Sequence, residues 1–184
     1  LSIDANGVRH WNGVALSREE AAARFITEGQ KTAQPEIHLR ADQTVPYRAV
    51  AETLAEKVLS FLRRFAQHRS GQMQQTWDTA LVRHIYDAHC IVTHDPVIVD
   101  VCAPAFSELL AGDVAEYGRQ QPDFAAAPIA VLERALNQVR GDAQTRAEYE
   151  LNLLPLIYGN FKPHFDESFA SFERVARRLL GVSI

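Results

Sequence analysis

Seven histidines and two cysteines are the side chains in this sequence best suited to chemistry near neutral pH. His84 and His89 are five apart, which does not share a helical face as an i, i+4 pair would, so this spacing builds no zinc site. His10, beside a turn, and His38, on an alternating segment, lack a second histidine or a carboxylate at metal-ligand spacing; His68, His94 and His164 have no clear sequence partner. Cys90 and Cys102 sit among apolar neighbours and read as buried free thiols, with a disulfide between them as the alternative. No Ser or Cys has a positioned base and there is no glycine-rich phosphate loop, so neither nucleophilic catalysis nor a P-loop is expected. By residue type alone, Lys57 is a solvated charge on a helix face. Asp87, beside Tyr86 and His89, reads as a hydrogen-bonded group between helices, and Asp42 as the acid of a helix-capping turn.

The element that must position such groups is the stretch Val45 to Arg69. Pro46 suits a first helical turn, where no backbone donor is needed from it and its φ is already right. Val50, Leu54, Val58, Phe61, Leu62 and Phe65 recur at three- and four-residue steps, the spacing of an amphipathic helix. Glu52, Glu56, Lys57, Arg63, Arg64 and Gln67 fall on the other side and Gly71 ends the run, so one helix of about six turns is predicted. Upstream the chain alternates like an α/β protein; downstream it reads as nearly all helix.

The totals suit one ordinary domain, or a small one fused to a medium one: 184 residues, 47% apolar and 23% charged. A net charge of −4 gives no global attraction to nucleic acid or anionic membrane, and Arg63-Arg64 and Arg177-Arg178 read as solvated faces. Two cysteines are too few for a disulfide scaffold. No apolar run approaches the roughly 20 residues of a spanning helix, and no signal peptide opens the chain. Leu1 reads as mid-strand, so a missing upstream segment is an expectation.

In the N-terminal stretch, Leu1-Ser2-Ile3 and Val8-Arg9-His10-Trp11 flank Asp4-Ala5-Asn6-Gly7, whose Asn-Gly is a hairpin signal. A second turn at Trp11-Asn12-Gly13 leads into Val14-Ala15-Leu16. Ser17 and Glu20 form a capping box for a helix that would bury Ala21, Ala22, Phe25 and Ile26. Glu36 to Ala41 alternates with period two, as a half-buried strand does. These motifs, above all Leu39-Arg40-Ala41-Asp42-Gln43-Thr44-Val45-Pro46-Tyr47, resemble the periplasmic domain of the ExbD/TolR biopolymer-transport family. That resemblance implies a small α/β domain driven by proton-motive force through an inner-membrane partner. The family's transmembrane helix, its membrane-embedded acid and the strand after the Val-Pro-Tyr helix have no counterpart here. The Glu36–Ala41 strand is therefore expected to keep an open edge.

The C-terminal stretch divides into about six helices with short connections, an irregular bundle. Trp77, Ala80, Leu81, His84, Ile85 and Ala88 mark one helix. Pro104 restarts another, through Phe106 and Leu110 to Gly112, and Asp113 caps a short one. Gly118 to Pro128 reads as loop, and Pro128 opens a helix that Gly141 ends. Asp142 caps the next, through Tyr149, Leu151, Leu153 and Leu154. Phe165, Phe169, Phe172, Val175, Ala176 and Leu179 line one face of the last.

Leu54-Ala55-Glu56-Lys57-Val58-Leu59-Ser60, Ala80-Leu81-Val82-Arg83-His84-Ile85-Tyr86-Asp87-Ala88-His89 and Leu153-Leu154-Pro155-Leu156-Ile157-Tyr158-Gly159 resemble the C-terminal helical region of the AbiEii/AbiGii toxin family of nucleotidyltransferases. The resemblance implies that Lys57 lies near nucleotide phosphates and that Asp87 acts in the site as base or orienter. The family's catalytic core carries a Gly-Ser turn and an Asp-x-Asp pair for divalent metal, and neither motif occurs in this sequence.

Together these readings predict an α+β chain. Residues 1–50 form an incomplete ExbD/TolR-like segment with a partial sheet and a helix, and a long shared helix leads into 51–184, an AbiEii-like helical bundle without the nucleotidyltransferase core. The functional expectation is a truncated or hybrid AbiEii-type toxin whose helical domain contributes nucleotide or RNA contacts through Lys57 and Asp87, without catalysing alone. The alternative is a non-enzymatic, ExbD/TolR-like periplasmic interaction domain. No metal ligand or cofactor is expected within the chain itself; nucleoside triphosphate and magnesium follow from the AbiEii resemblance only. Expected partners are nucleotide or RNA, an antitoxin protein, and a second copy paired through the sheet edge. The helical half implies cytoplasm and the N-terminal half periplasm; without an export signal, cytoplasm is the expectation.

Overall fold

The computed structural model describes residues 2–3, 8–11, 13–17, 20, 23–24, 27, 40–41, 47–71, 77–158 and 160–182. The chain divides into two compact units, Leu1–Val50 and Ala51–Ile184, and its class is α+β.

In the first unit, strands β1 (Ser2–Ile3), β2 (Arg9–Trp11), β3 (Val14–Leu16) and β4 (Arg40–Ala41) form one sheet in the order β3-β2-β1-β4. β2 runs antiparallel to both β1 and β3, while β4 lies parallel to β1 with Ser2 opposite Arg40. Trp11 faces Val14 in register, and Gly13 between them has a φ of 85°, a left-handed backbone that glycine adopts without a Cβ penalty. The capping box forms reciprocally: the Ser17 backbone N–H donates to Glu20 Oε2 at 2.7 Å, and the Glu20 N–H donates to Ser17 Oγ at 3.1 Å. The Asp4–Gly7 turn, the apolar face expected at residues 21, 22, 25 and 26, and His38, Asp42 and Pro46 lie outside the described residues.

Helix α1 spans Tyr47–Arg69 without a break, and His68 and Arg69 in its last turn complement the negative end of its dipole. Of the predicted stripe, Leu54, Val58, Phe61, Leu62 and Phe65 are buried and Val50 is half-buried, and Ala51, Ala55 and Leu59 widen the buried face. Gly71, at a φ of 70°, ends the run as expected. Arg63 departs from the solvated face assigned to it. It is 8% exposed, its Nε donates to Asp113 Oδ2 at 2.7 Å, and its guanidinium lies 3.7 Å from the centre of the Tyr117 ring.

A 3-10 turn at Thr79–Val82, capped by the Asp78 carboxylate, leads into α2 (Arg83–His94). Trp77 therefore precedes the helix instead of lying on it. Its indole wedges against Phe61, Phe65 and His68, and its Nε1 donates to the buried Glu148 at 2.8 Å. α3 (Ile98–Tyr117) runs straight through Pro104 and Gly112, where a restart and a stop were predicted. An internal proline forfeits one backbone bond; here Cys102 and Phe106, buried on either side of it, hold both halves in the core.

The segment read as loop contains the short α4 (Pro122–Ala126), and Pro128 opens α5 (Pro128–Val139) as expected. Asp142 caps α6 (Ala143–Ala147), accepting from the Thr145 N–H at 2.9 Å. The chain then widens into a π-helical segment, Glu148–Leu153, and a 3-10 turn, Leu154–Leu156. Tyr149 of this segment is fully buried, whereas Leu151, read as part of the same helix, is exposed. In α7 (Phe165–Leu180), all six predicted stripe residues are buried. α7 packs most extensively on α2, and Phe172 meets Phe61 of α1 edge-on at 5.4 Å. Cys90 and Cys102 are free thiols, the second fully buried. Arg177 donates to Glu173 one turn earlier in α7 and to Asn137 of α5, and Arg178 donates to Asp100 of α3, so the basic pair is tied into its own helix and its neighbours.

Candidate functional site

Lys57 sits on the outer side of α1, one turn before Phe61, and Asp87 sits on the second turn of α2. The structure brings them together: Lys57 Nζ donates to Asp87 Oδ2 at 2.6 Å. Their side chains remain 23% and 33% exposed, so the pair is reachable from solvent and neither charge is locked in the core. Beside it, Thr53, Glu56, Lys57, Ser60 and His84 line a cleft of about 140 Å³.

His84 lies one helical turn before Asp87, on the same side of α2. Its Nδ1 is buried and has no hydrogen-bond partner among the described residues. Burial lowers its pKa to about 4; the Lys57 ammonium adds to this, and Asp87 opposes it. The ring is therefore neutral at pH 7, a hydrogen-bonding group in the cleft and not a second cation. The sequence reading gives His84 as a helix-face residue and rejects it as a zinc ligand, and does not connect it with Lys57 and Asp87. The signal that would have found it is its three-residue offset from Asp87.

The neighbouring groups are structural. Burial pushes the Tyr86 hydroxyl up to about 12, and Tyr86 shares a hydrogen bond with Cys90, whose thiol burial also raises. His89 is buried, with Nδ1 at 2.9 Å from Ser171 Oγ and its ring stacked on Phe161. Its pKa is lowered by burial, against the pull of Glu167. Among the described residues, no group of three or more His, Cys, Asp or Glu side chains could hold a metal. What the arrangement offers is one accessible ammonium poised against a carboxylate, with a neutral imidazole and a hydroxyl beside them. An ammonium held in this way can exchange its carboxylate for a phosphate oxygen, and the released carboxylate can then accept a proton or orient a hydroxyl.

Among the described residues, no helix is long and apolar enough to cross a membrane. Two curated relatives, each a biopolymer transport protein exbD1, come from Xanthomonas campestris pv. campestris strains B100 and ATCC 33913. Both are 35% identical to this chain over 52 residues, covering 28% of this chain and 37% of theirs. The chain thus spans little more than a third of the length of those relatives. No solved structure matches it. The family model described as nucleotidyl transferase AbiEii toxin, type IV TA system, matches residues 20–171. That match starts upstream of Leu54, where the sequence resemblance was drawn, and takes in both Lys57 and Asp87. Spanning most of the sequence, it places this chain in the AbiEii nucleotidyl transferase toxin family.

Proposed function

We propose that the helical unit serves a nucleotidyltransferase-type toxin by holding a nucleoside triphosphate, with Lys57 as the phosphate contact and Asp87 as the group that orients or deprotonates the acceptor. The observation carrying this reading is the partly exposed Lys57–Asp87 pair beside the His84 cleft. In the resting state the carboxylate keeps the ammonium in place. On binding, the triphosphate displaces it, freeing Asp87 at the point where an acceptor hydroxyl would arrive. His84, uncharged, leaves Lys57 its full charge for phosphate without a second desolvated cation beside it. Metal-assisted transfer needs paired carboxylates, so the chain binds nucleotide but does not complete the reaction by itself. An RNA acceptor, an antitoxin partner and a cytoplasmic location belong to the same reading.

Calorimetric titration with a nucleoside triphosphate and magnesium tests it. Wild-type protein gives a saturable isotherm, and Lys57→Ala weakens it by about tenfold or more, the loss expected for one charge-assisted contact. Flat isotherms for both proteins remove the proposal.

The 35% identity to exbD1 favours a second reading for the first unit, a non-enzymatic interaction domain that pairs through a sheet edge. Among the described residues, β3 and β4 each have a strand on one side only. Mass measurement after size exclusion decides it: a concentration-dependent dimer supports the reading, and a monomer at high concentration contradicts it.

A further inference from the structure

A groove of about 540 Å³ lies between α1 and α3. Ala105, Leu109 and Gly112 of α3 give it apolar surface, and a Cβ built at Gly112 would meet nothing within 4 Å, so the groove is open there. Val97, Val101, Ala105 and Leu109 follow one another at four-residue steps, a ridge that leads along α3 into the groove. Val97 and Val101 are 65% and 40% exposed. α3 is thus apolar well beyond the part that Ile98, Val99, Cys102 and Phe106 bury, and a helix apolar on that much of its circumference is expected to be covered on more than one side. From Val97 to Gly112 this surface runs about 22 Å along the helix axis.

The walls of the groove are acidic. Glu52 and Glu56 come from α1 and Glu108, Asp113 and Glu116 from α3, and no lining residue is cationic. Asp113 is matched by Arg63, whereas Glu108 and Glu116 make no ion pair among the described residues. Glu52 and Glu56 stand four apart and Asp113 and Glu116 three apart, spacings at which like charges on a helix repel. Glu116 also sits in the last turn of α3, where a carboxylate opposes the helix dipole. Local rules broken on both walls of one groove mark a place where stability has yielded to function. The acids are not gathered on an ion: among the described residues, no group of three or more could hold a metal.

We infer that this groove receives a cationic amphipathic helix of a partner protein, with its apolar edge on the α3 ridge and its lysines or arginines between the acidic walls. Carboxylate walls repel nucleic acid and anionic lipid, and a ridge at four-residue steps matches the grooves of a packed helix. A second copy is poorly suited to the role, because cations of this chain's own long helices are engaged: Arg63 by Asp113, Arg69 by Asp142 and Arg178 by Asp100. The inference does not rest on the nucleotide reading.

The test is fluorescence anisotropy of a labelled helical peptide of about 16 residues, leucine on one face and lysine elsewhere, titrated with the full chain. The comparison peptide has glutamate for every lysine. Saturable binding of the lysine peptide alone is expected. Glu108→Lys with Glu116→Lys weakens it about tenfold or more, because like charges then meet across the interface. Asp123→Lys with Glu133→Lys, two acids outside the groove, changes the net charge equally and leaves binding within about twofold. Gly112→Arg also weakens binding, with a thermal midpoint unchanged or raised, since the site is open and arginine is the better helix former. No saturable binding, equal losses in the two charge-reversed pairs, or full binding to Gly112→Arg overturns the assignment. A wild-type dimer that Glu108→Lys with Glu116→Lys abolishes overturns it too, because the occupant would then be a second copy.

Discussion

Lys57 and Asp87, thirty positions apart in sequence, meet at 2.6 Å across α1 and α2, with both side chains still open to solvent. A pair of this exposure adds little to stability. Truncating either partner to alanine is expected to cost about 0.5–1 kcal/mol, and a double-mutant cycle in urea to show a coupling of similar size. A coupling near zero would mean that the two side chains do not hold each other in solution.

His84 makes the fold sensitive to acid. Its pKa falls from 6.5 to about 4 on folding, so the unfolded chain binds the proton more readily. The resulting stability is full above pH 6.5, is withdrawn as pH falls through the interval to 4, and changes no further below it. The loss amounts to about 3 kcal/mol at most. His84→Gln should flatten this part of the stability–pH profile in chemical denaturation; an unchanged profile would contradict the burial argument.

Core packing is set by the aromatic contact between Phe61 and Phe172, both fully buried. Phe172→Ala should destabilise the protein by about 3–5 kcal/mol, read from the urea midpoint. A loss below about 1 kcal/mol would show that α7 is not seated as described.

Tyr149 tests the π-helical turn. Its hydroxyl lies 2.6 Å from Ser168 Oγ and 3.2 Å from the Pro163 carbonyl, and burial pushes its pKa up to about 12. Tyr149→Phe removes only the oxygen, so thermal and urea denaturation should show a loss of about 1–2 kcal/mol. No change would place that hydroxyl in water.

What the sequence made legible follows from local physics. The α1 stripe, the α7 phenylalanine face, the Ser17–Glu20 capping box and the Asp142 cap each depend on residues within one or two turns of one another. The single helix expected from Asp142 through Leu154 divides where the backbone changes period, at Glu148–Leu153, and the restart expected at Pro104 gives way to one helix where packing overrides a breaker. Arg63 and Trp77 found partners fifty and more positions away, which spacing cannot announce. Lys57 and Asp87 were named by family resemblance; their meeting, and the neutral His84 beside them, required the fold.

The most direct test of the nucleotide reading is the thermal midpoint of wild type and Lys57→Ala with increasing magnesium nucleoside triphosphate. A ligand that binds only the folded state raises stability as its concentration passes the dissociation constant. The account predicts a rising midpoint for wild type and a flat or strongly right-shifted response for Lys57→Ala. Identical responses, whether both rise or both stay flat, would contradict it.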